Sequence, residues 1–303
     1  MSSEDIGDLG AAFPDVAALT AALDRTGYLA GDQLAAALFL AVRMGQPILL
    51  EGEPGVGKTE AAKALAAALG TVLVRLQCYE GIAAAEALYE WNYPRQLLAI
   101  RLAEASREHL ADSDLFSEDY LLARPLLTAL DHRGPRPAIL LIDEVDRADD
   151  EFEAFLFELL AESAVTIPEL GTRRAAFPPI AVLTSNRTRD LHDALKRRCL
   201  YHWIGYPDAG RVAAIIRRRV PGASAALAGE VAVAVARLRG LELTKPPGIS
   251  EAITWAAALA LLGAERLSAG IADQTISVVV KYPEDEQAVR EAGLVAVAGD
   301  ARS

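Results

Sequence analysis

Gly52-Glu53-Pro54-Gly55-Val56-Gly57-Lys58-Thr59 fits the spacing G-x-x-x-x-G-K-[ST] without a gap. A short apolar run, Pro47 to Leu50, comes before it, and a stretch of helical character, Thr59 to Leu69, comes after. Strand, turn and helix are the context this octapeptide needs. Its glycines let the backbone curl so that successive amides face one concavity, and the N-terminus of the following helix completes it. The stretch therefore predicts an anion site suited to nucleoside phosphates. Lys58 is placed to reach the β- and γ-phosphates, and the Thr59 hydroxyl to ligate Mg²⁺.

Working outward, Leu34 to Met44 has helical apolar spacing and ends at Gly45, a natural C′ residue. A shorter helix is expected over Val16 to Leu23. Thr71 to Leu76 reads as a second strand, and Ala138 to Ile142 as a third, apolar throughout and so central and parallel. Asp149 to Glu162 is helical, with Phe152, Phe155, Leu156, Leu159 and Leu160 on one face. Val165 to Ile167 and a return leg towards Phe177 form a hairpin. Ile180 to Thr184 and Leu200 to Ile204 supply two more strands. Strands alternating with helices predict a doubly wound parallel α/β sheet. Past Tyr206-Pro207 the strand pattern stops, and Ala209 to Arg219, Ala223 to Arg239 and Glu251 to Leu262 read as helices. The expected organisation is an N-terminal segment (1–33), an α/β nucleotide-binding domain (34–206) and a smaller all-α domain (207–303).

Ala138-Ile139-Leu140-Leu141-Ile142-Asp143-Glu144 delivers two carboxylates to the sheet edge where the glycine-rich loop lies. Asp143 is placed to hold Mg²⁺ through its water shell. Glu144 can orient or deprotonate an attacking water, which favours hydrolysis over binding alone. Thr184-Ser185-Asn186 follows the fourth strand, so the Asn186 amide can contact a γ-phosphate and the lytic water together. Lys196-Arg197-Arg198 precedes the last strand. As a basic run it reads first as a solvated face; in a ring it could reach a phosphate held by a neighbouring subunit.

The order GEPGVGKT, LLIDE, LTSN and ALKRRC, with helices behind it, resembles an AAA+ ATPase over roughly residues 34–265. Within that group it is most similar to the MoxR branch, specifically the members resembling carbon-monoxide-dehydrogenase maturation proteins. The aromatic insertion YEG…ALYEWNYPRQLL over 79–133 and the hairpin before the Asn-tipped strand carry that likeness. The resemblance implies a Walker A loop of Gly52, Glu53, Pro54, Gly55, Val56, Gly57, Lys58, Thr59 and the adjoining Glu60. It also implies a Walker B pair of Asp143 and Glu144, Mg²⁺ at Thr59 and Asp143, and sensor 1 at Asn186. Arg198 best matches the arginine finger, with Arg197 second. One departure stands out: Glu251 occupies the place where many such lids carry a sensor 2 arginine, so either Arg237, Arg239 or Lys245 substitutes or the lid senses nucleotide differently, and sensor 2 stays unassigned. The implied function is an ATP-hydrolysing remodeller, a hexameric ring that helps to mature a metalloenzyme or other complex. Its implied partners are a von Willebrand factor A domain protein and a protein client.

Composition narrows the classes. With 303 residues, 52% of them hydrophobic, the chain can build two domains with sizeable cores. A net charge of −12 and a pI near 4.9 argue against holding nucleic acid by phosphate neutralisation. A nucleic-acid motor or loader on the same core is the alternative function, and a slowly hydrolysing nucleotide-gated binder is another. The acidic N-terminus is no secretory signal, and the longest apolar stretch, Thr254 to Gly263, is too short to span a bilayer. Cys78 and Cys199 lack a neighbouring thiol or metal spacing, so free thiols in a reducing, cytoplasmic setting are expected. His109, His132, His192 and His202 read as surface or packing residues. Tyr89, Trp91 and Tyr93 either pack the insertion or form a client-binding loop.

Overall fold

A computed structural model describes residues 13–106 and 111–298. Nine strands follow one another among them: β1 (Ile48–Gly52), β2 (Leu73–Gln77), β3 (Tyr89–Trp91), β4 (Leu121–Ala123), β5 (Ile139–Asp143), β6 (Ala164–Ile167), β7 (Gly171–Arg174), β8 (Ile180–Ser185) and β9 (Leu200–Ile204). The described residues fall into two compact units. The first gathers residues 13–26, 30–51 and 59–203, and the second residues 27–29, 52–58 and 204–298.

The first unit is built on a five-stranded sheet in the order β2-β5-β8-β1-β9. β2 with β5, β5 with β8, and β8 with β1 are parallel pairs. β1, β5 and β8 are buried along their whole length. This is why Ile139 to Ile142 can be apolar without alternation: both faces of an inner parallel strand are covered. β2 sits at the edge, where Arg75 and Gln77 are exposed. Leaving β1, the chain crosses to β2 at the far edge, returns through β5 and β8, and then passes β1 to form β9. Ligands of open α/β sheets gather at such reversals, outside the carboxyl ends of the strands. The register sets those ends side by side, with Glu51 opposite Ser185 and Gln77 opposite Asp143. Beneath them lies a core that includes Leu49, Leu140, Ile142, Phe152, Leu156 and Leu183.

Local chemistry explains the element ends. The Asp149 side chain accepts from Phe152 N at 2.9 Å and starts the helix Asp150–Glu162. Gly45, at φ 62°, closes the helix Asp32–Met44 in the left-handed region. The insertion over 79–133 contains the short antiparallel pair β3–β4 and the helices Ala84–Leu88, Tyr93–Ser106 and Pro125–Leu130. Its aromatics divide. Trp91 is buried, edge-on to Tyr89 at 5.9 Å and to Phe116 at 5.2 Å, whereas Tyr93 is 62% exposed. The expected hairpin forms as β6–β7, and its second strand ends at Arg174, short of Phe177.

The C-terminal part of the second unit is helical: Ala209–Arg219, Ala225–Arg239, Ile249–Leu261, Ala269–Val279, Pro283–Ala292 and Leu294–Ala298. Trp255 lies at the centre of their shared core with Ile216, Leu227, Val231 and Leu259, and its Nε1 donates to Thr275 Oγ1 at 2.8 Å. The glycine-rich loop 52–58 packs with these helices. The backbones meet directly: Ile249 N donates to Gly55 O at 2.9 Å. A Cβ on Gly248 would lie 2.9 Å from Gly55 Cα, and Gly55 itself sits at φ +76°. Both positions therefore require glycine.

Candidate active site

Within the first unit, the carboxyl ends of β2, β5 and β8 hold a dense polar cluster. Asp143, 3% exposed, is its centre. Thr59 Oγ1 donates to Asp143 Oδ1 at 3.0 Å and lies 3.2 Å from Oδ2. Thr184 Oγ1 donates to Oδ1 at 2.6 Å, and in turn accepts from the Glu144 backbone N–H at 2.9 Å. Arg75 closes on Oδ2 with Nε at 2.9 Å and Nη2 at 2.6 Å.

Glu144 directly follows the strand in a left-handed conformation, φ 55° and ψ 50°. For a residue with a long side chain this is uncommon, and such conformations concentrate at functional sites. The turn aims its carboxylate at two amides: Asn186 Nδ2 donates to Oε1 at 3.3 Å, and Gln77 Nε2 to Oε2 at 3.0 Å. Arg147 Nε stands 3.4 Å from the same Oε2. Asn186 is itself held from behind. Its N–H faces both oxygens of Asp146 at 3.2 Å, and Asp146, 1% exposed, also accepts from Thr188 N at 2.8 Å and Thr188 Oγ1 at 2.7 Å.

The structure therefore brings Thr59, Asp143, Glu144 and Asn186 together. Arg197 and Arg198 stand apart, exposed in the last turn of the helix Asp193–Arg198. The Arg198 guanidinium lies 5.7 Å from the Phe157 ring centre. Six members of the cluster carry no assigned role in the sequence reading: Arg75, Gln77, Asp146, Arg147, Thr184 and Thr188. Arg75 left a signal, a charge inside the otherwise apolar run Leu73-Val74-Arg75-Leu76. Asp146 is a buried acceptor.

In the second unit, loop residues Glu53, Pro54 and Gly55 are exposed while Val56 is buried. Lys58, 6% exposed, turns its Nζ to Gly52 O at 2.7 Å and Glu53 O at 2.9 Å, arching the loop over its own ammonium. Gly57 adopts φ +96°, and the Tyr28 hydroxyl donates to its carbonyl at 3.4 Å. Glu60, on the helix that follows, pairs with Lys63 at 2.6 Å. Glu251 accepts from Gly248 N at 3.0 Å and so serves as a cap to its helix. Of the three bases weighed as substitutes, Arg237 donates to Val297 O, and the Lys245 backbone N–H donates to Asp285. Arg239 stacks on Tyr206 with its Cζ 4.1 Å from the ring centre and donates through Nε to Pro247 O at 2.7 Å. Burial pushes its pKa down, and among the described residues its Nη2 is the one buried side-chain polar atom without a partner.

In the first unit, the Thr59 hydroxyl and the Asp143 carboxylate are the donor chemistry of a hard divalent cation; in the second, a lysine inside a glycine-rich amide loop is that of a polyphosphate. Residues 47–199, which carry the whole cluster of carboxylates, match the AAA domain family, dynein-related subfamily. The chain belongs to that family. This AAA protein has a parallel central sheet flanked by helices and a helical C-terminal region. No curated protein matches it in sequence. Among solved structures it is similar to the RuvB Holliday junction branch migration motor of Thermotoga maritima, at 16% identity, 94% of this chain, 72% of that one and a TM-score of 0.46. A point mutant of the same RuvB gives 20% identity, 84% and 70% coverage, and a TM-score of 0.48. Likeness at that level carries no functional weight. Among the described residues no helix is long and apolar enough to cross a membrane.

Proposed function

We propose that this AAA protein hydrolyses ATP with Mg²⁺ and couples hydrolysis to remodelling of a protein client. The observation that carries the first half is the paired geometry at Asp143 and Glu144. One carboxylate meets the Thr59 hydroxyl at 3.0 Å, and the next residue meets the Asn186 amide at 3.3 Å. Thr59 and Asp143 would hold Mg²⁺, which would supply positive charge against the terminal phosphates. Lys58 would exchange its two backbone carbonyls for phosphate oxygens. Glu144 would take up a proton from the attacking water at a carboxylate oxygen, and Asn186 would fix that water against the terminal phosphate. Family membership supports this reading, since the AAA domain is a nucleotide-binding ATPase module.

For the second half we propose a ring, hexameric by resemblance to the MoxR branch, in which Arg198, or Arg197 beside it, serves the neighbouring subunit's site. The exposure of both arginines, in the last turn of the helix Asp193–Arg198, supports that placement. A von Willebrand factor A domain partner, a metalloenzyme or other complex as client, and a cytoplasmic location belong to the same proposal. The acidic balance of −12 favours it over a nucleic-acid motor.

Phosphate release measured with Mg·ATP, together with light scattering after chromatography in ATP, tests the core of the proposal. Turnover in an assembled species is the expected result; a chain that binds no nucleotide overturns it. Capture by the Glu144→Gln form in ATP should retain a client. Sub-micromolar affinity for duplex or single-stranded DNA at about 0.15 M salt would favour the motor instead.

A further inference from the structure

Asp143, the carboxylate that would hold the cation, already has a positive charge on it. Arg75 reaches from the edge strand β2 and bonds Oδ2 through both Nε at 2.9 Å and Nη2 at 2.6 Å. We propose that Arg75 is a resident counter-cation: it neutralises Asp143 while the site is empty of metal and must leave that oxygen for a divalent cation to load. The inference rests on the reading of Thr59 and Asp143 as the cation site.

Burial explains why a counter-cation is built in. The Asp143 side chain is only 4% exposed, and a carboxylate left unpaired at that depth is costly. Its other oxygen is served by hydroxyls, Thr184 at 2.6 Å and Thr59 at 3.0 Å, which satisfy its lone pairs without cancelling its charge. Arg75 brings a full positive charge to Asp143 through two bonds to the same oxygen.

Geometry explains why it must move. A dication beside the Thr59 hydroxyl, held to Asp143 through its water shell, would still stand close to the guanidinium. Two like charges that close repel strongly outside bulk water. Two features let Arg75 yield without leaving an orphan. Its side chain is 48% exposed, so the guanidinium can swing into solvent. It also already donates through Nη2 to Gln77 Oε1 at 2.5 Å, a neutral partner on the same strand that can keep one of its bonds. The consequence is a raised threshold, in which cation affinity is set by competition with an internal charge as well as by the ligands.

The test is Mn²⁺ titration followed by electron paramagnetic resonance, on the full chain at fixed ATP. Arg75→Gln should lower the half-saturating Mn²⁺ about tenfold, equivalent to about 1.4 kcal/mol. Arg75→Lys, which keeps the charge, should stay near wild type. ATP affinity in EDTA, read by anisotropy of a fluorescent analogue, should be the same in all three proteins. Unchanged or weaker Mn²⁺ binding in a folded Arg75→Gln protein overturns the inference and leaves the ATPase reading intact. A wild-type chain that binds neither ATP nor Mn·ATP overturns both. Should Arg75→Gln fail to fold, the wild-type chain with ¹⁵N-labelled arginine decides. The Nε–H resonance that Arg75→Lys lacks should move on adding Mg²⁺ to the ATP-bound protein, and not on adding ATP in EDTA. A resonance that stays put overturns the inference.

Discussion

Asn186 Nδ2 donates to Glu144 Oε1 at 3.3 Å, joining residues from the ends of two adjacent parallel strands. On the proposed reading, this amide and carboxylate are the two ends of one reaction: the carboxylate takes a proton and the amide orients what loses it. Glu144→Gln should bind ATP normally and release phosphate about 10²–10⁴-fold more slowly, the range for loss of a general base. Asn186→Ala should lower turnover with little change in nucleotide affinity. Wild-type turnover by Glu144→Gln would show that another group activates the water.

Lys58 sits 6% exposed beneath its own loop, held by the Gly52 and Glu53 carbonyls. Lys58→Ala removes the one cation inside the amide loop and should abolish nucleotide binding in a fluorescence anisotropy titration. Retained binding at wild-type affinity would place the phosphates elsewhere.

Arg198→Ala should bind ATP as wild type does and yet lose turnover, because the arginine is proposed to act on the neighbouring subunit; arginine fingers contribute about 10³–10⁵ in rate in P-loop GTPases. Mixing this variant with Lys58→Ala should restore part of the activity. Only interfaces that join an intact Lys58 loop to an intact Arg198 can work. Co-assembly without rescue would rule out Arg198 as the group supplied across the interface and turn attention to Arg197.

Asp146 accepts from Asn186 N, Thr188 N and Thr188 Oγ1 at 1% exposure. Asp146→Ala strands these donors and should destabilise the protein by about 2–4 kcal/mol in urea titration, in line with the loss of a hydrogen-bonded buried charge. Turnover should fall with it, since Asn186 loses its anchor. A loss below about 0.5 kcal/mol would mean that water replaces the carboxylate.

Burial, together with the nearby Asp143, Asp146 and Glu144 carboxylates, pushes the Cys78 thiol up to about 12 from 9.0. Burial pushes Cys199 up to about 12 as well. The folded protein then holds these protons more tightly than the unfolded chain. Their contribution to stability is complete below pH 9 and is lost as the pH rises from 9 through 12. Each thiol should steepen the fall in unfolding free energy by up to about 1.4 kcal/mol per pH unit in that window. Replacing both by Ala should flatten the slope. At pH 8 neither thiol should react with iodoacetamide until the protein unfolds.

The order of elements was legible because each carries a local signal. Glycine spacing marked the loop at 52–59, and unbroken apolar runs marked β5 and β8. Sheet order was not legible, since nothing in Leu73–Gln77 says that it joins the far edge beside Ile139–Asp143. The same gap hid Arg75 and Gln77, whose roles come from the pairing of Gln77 with Asp143 across strands. Asp146 carries no local signal, because burial of an acid there depends on Thr188 and Asn186, about 40 residues away. The helices Ala269–Val279, Pro283–Ala292 and Leu294–Ala298 were covered only by the general expectation of an all-α region. Their apolar faces are short and mixed with small residues, so periodicity alone did not separate them.

The bond from Ile249 N to Gly55 O links main chain to main chain, with glycine required at both Gly55 and Gly248. No side chain takes part in it, so no point substitution can retune it by degrees: a larger residue breaks the fit, and any other choice leaves the bond as it was. The loop at Gly55 and the first turn of the helix Ile249–Leu261 are therefore tied by a joint that mutation can destroy but not adjust. Variation in how these helices respond has to come from their own packing or from the length of the Leu241–Pro247 connection.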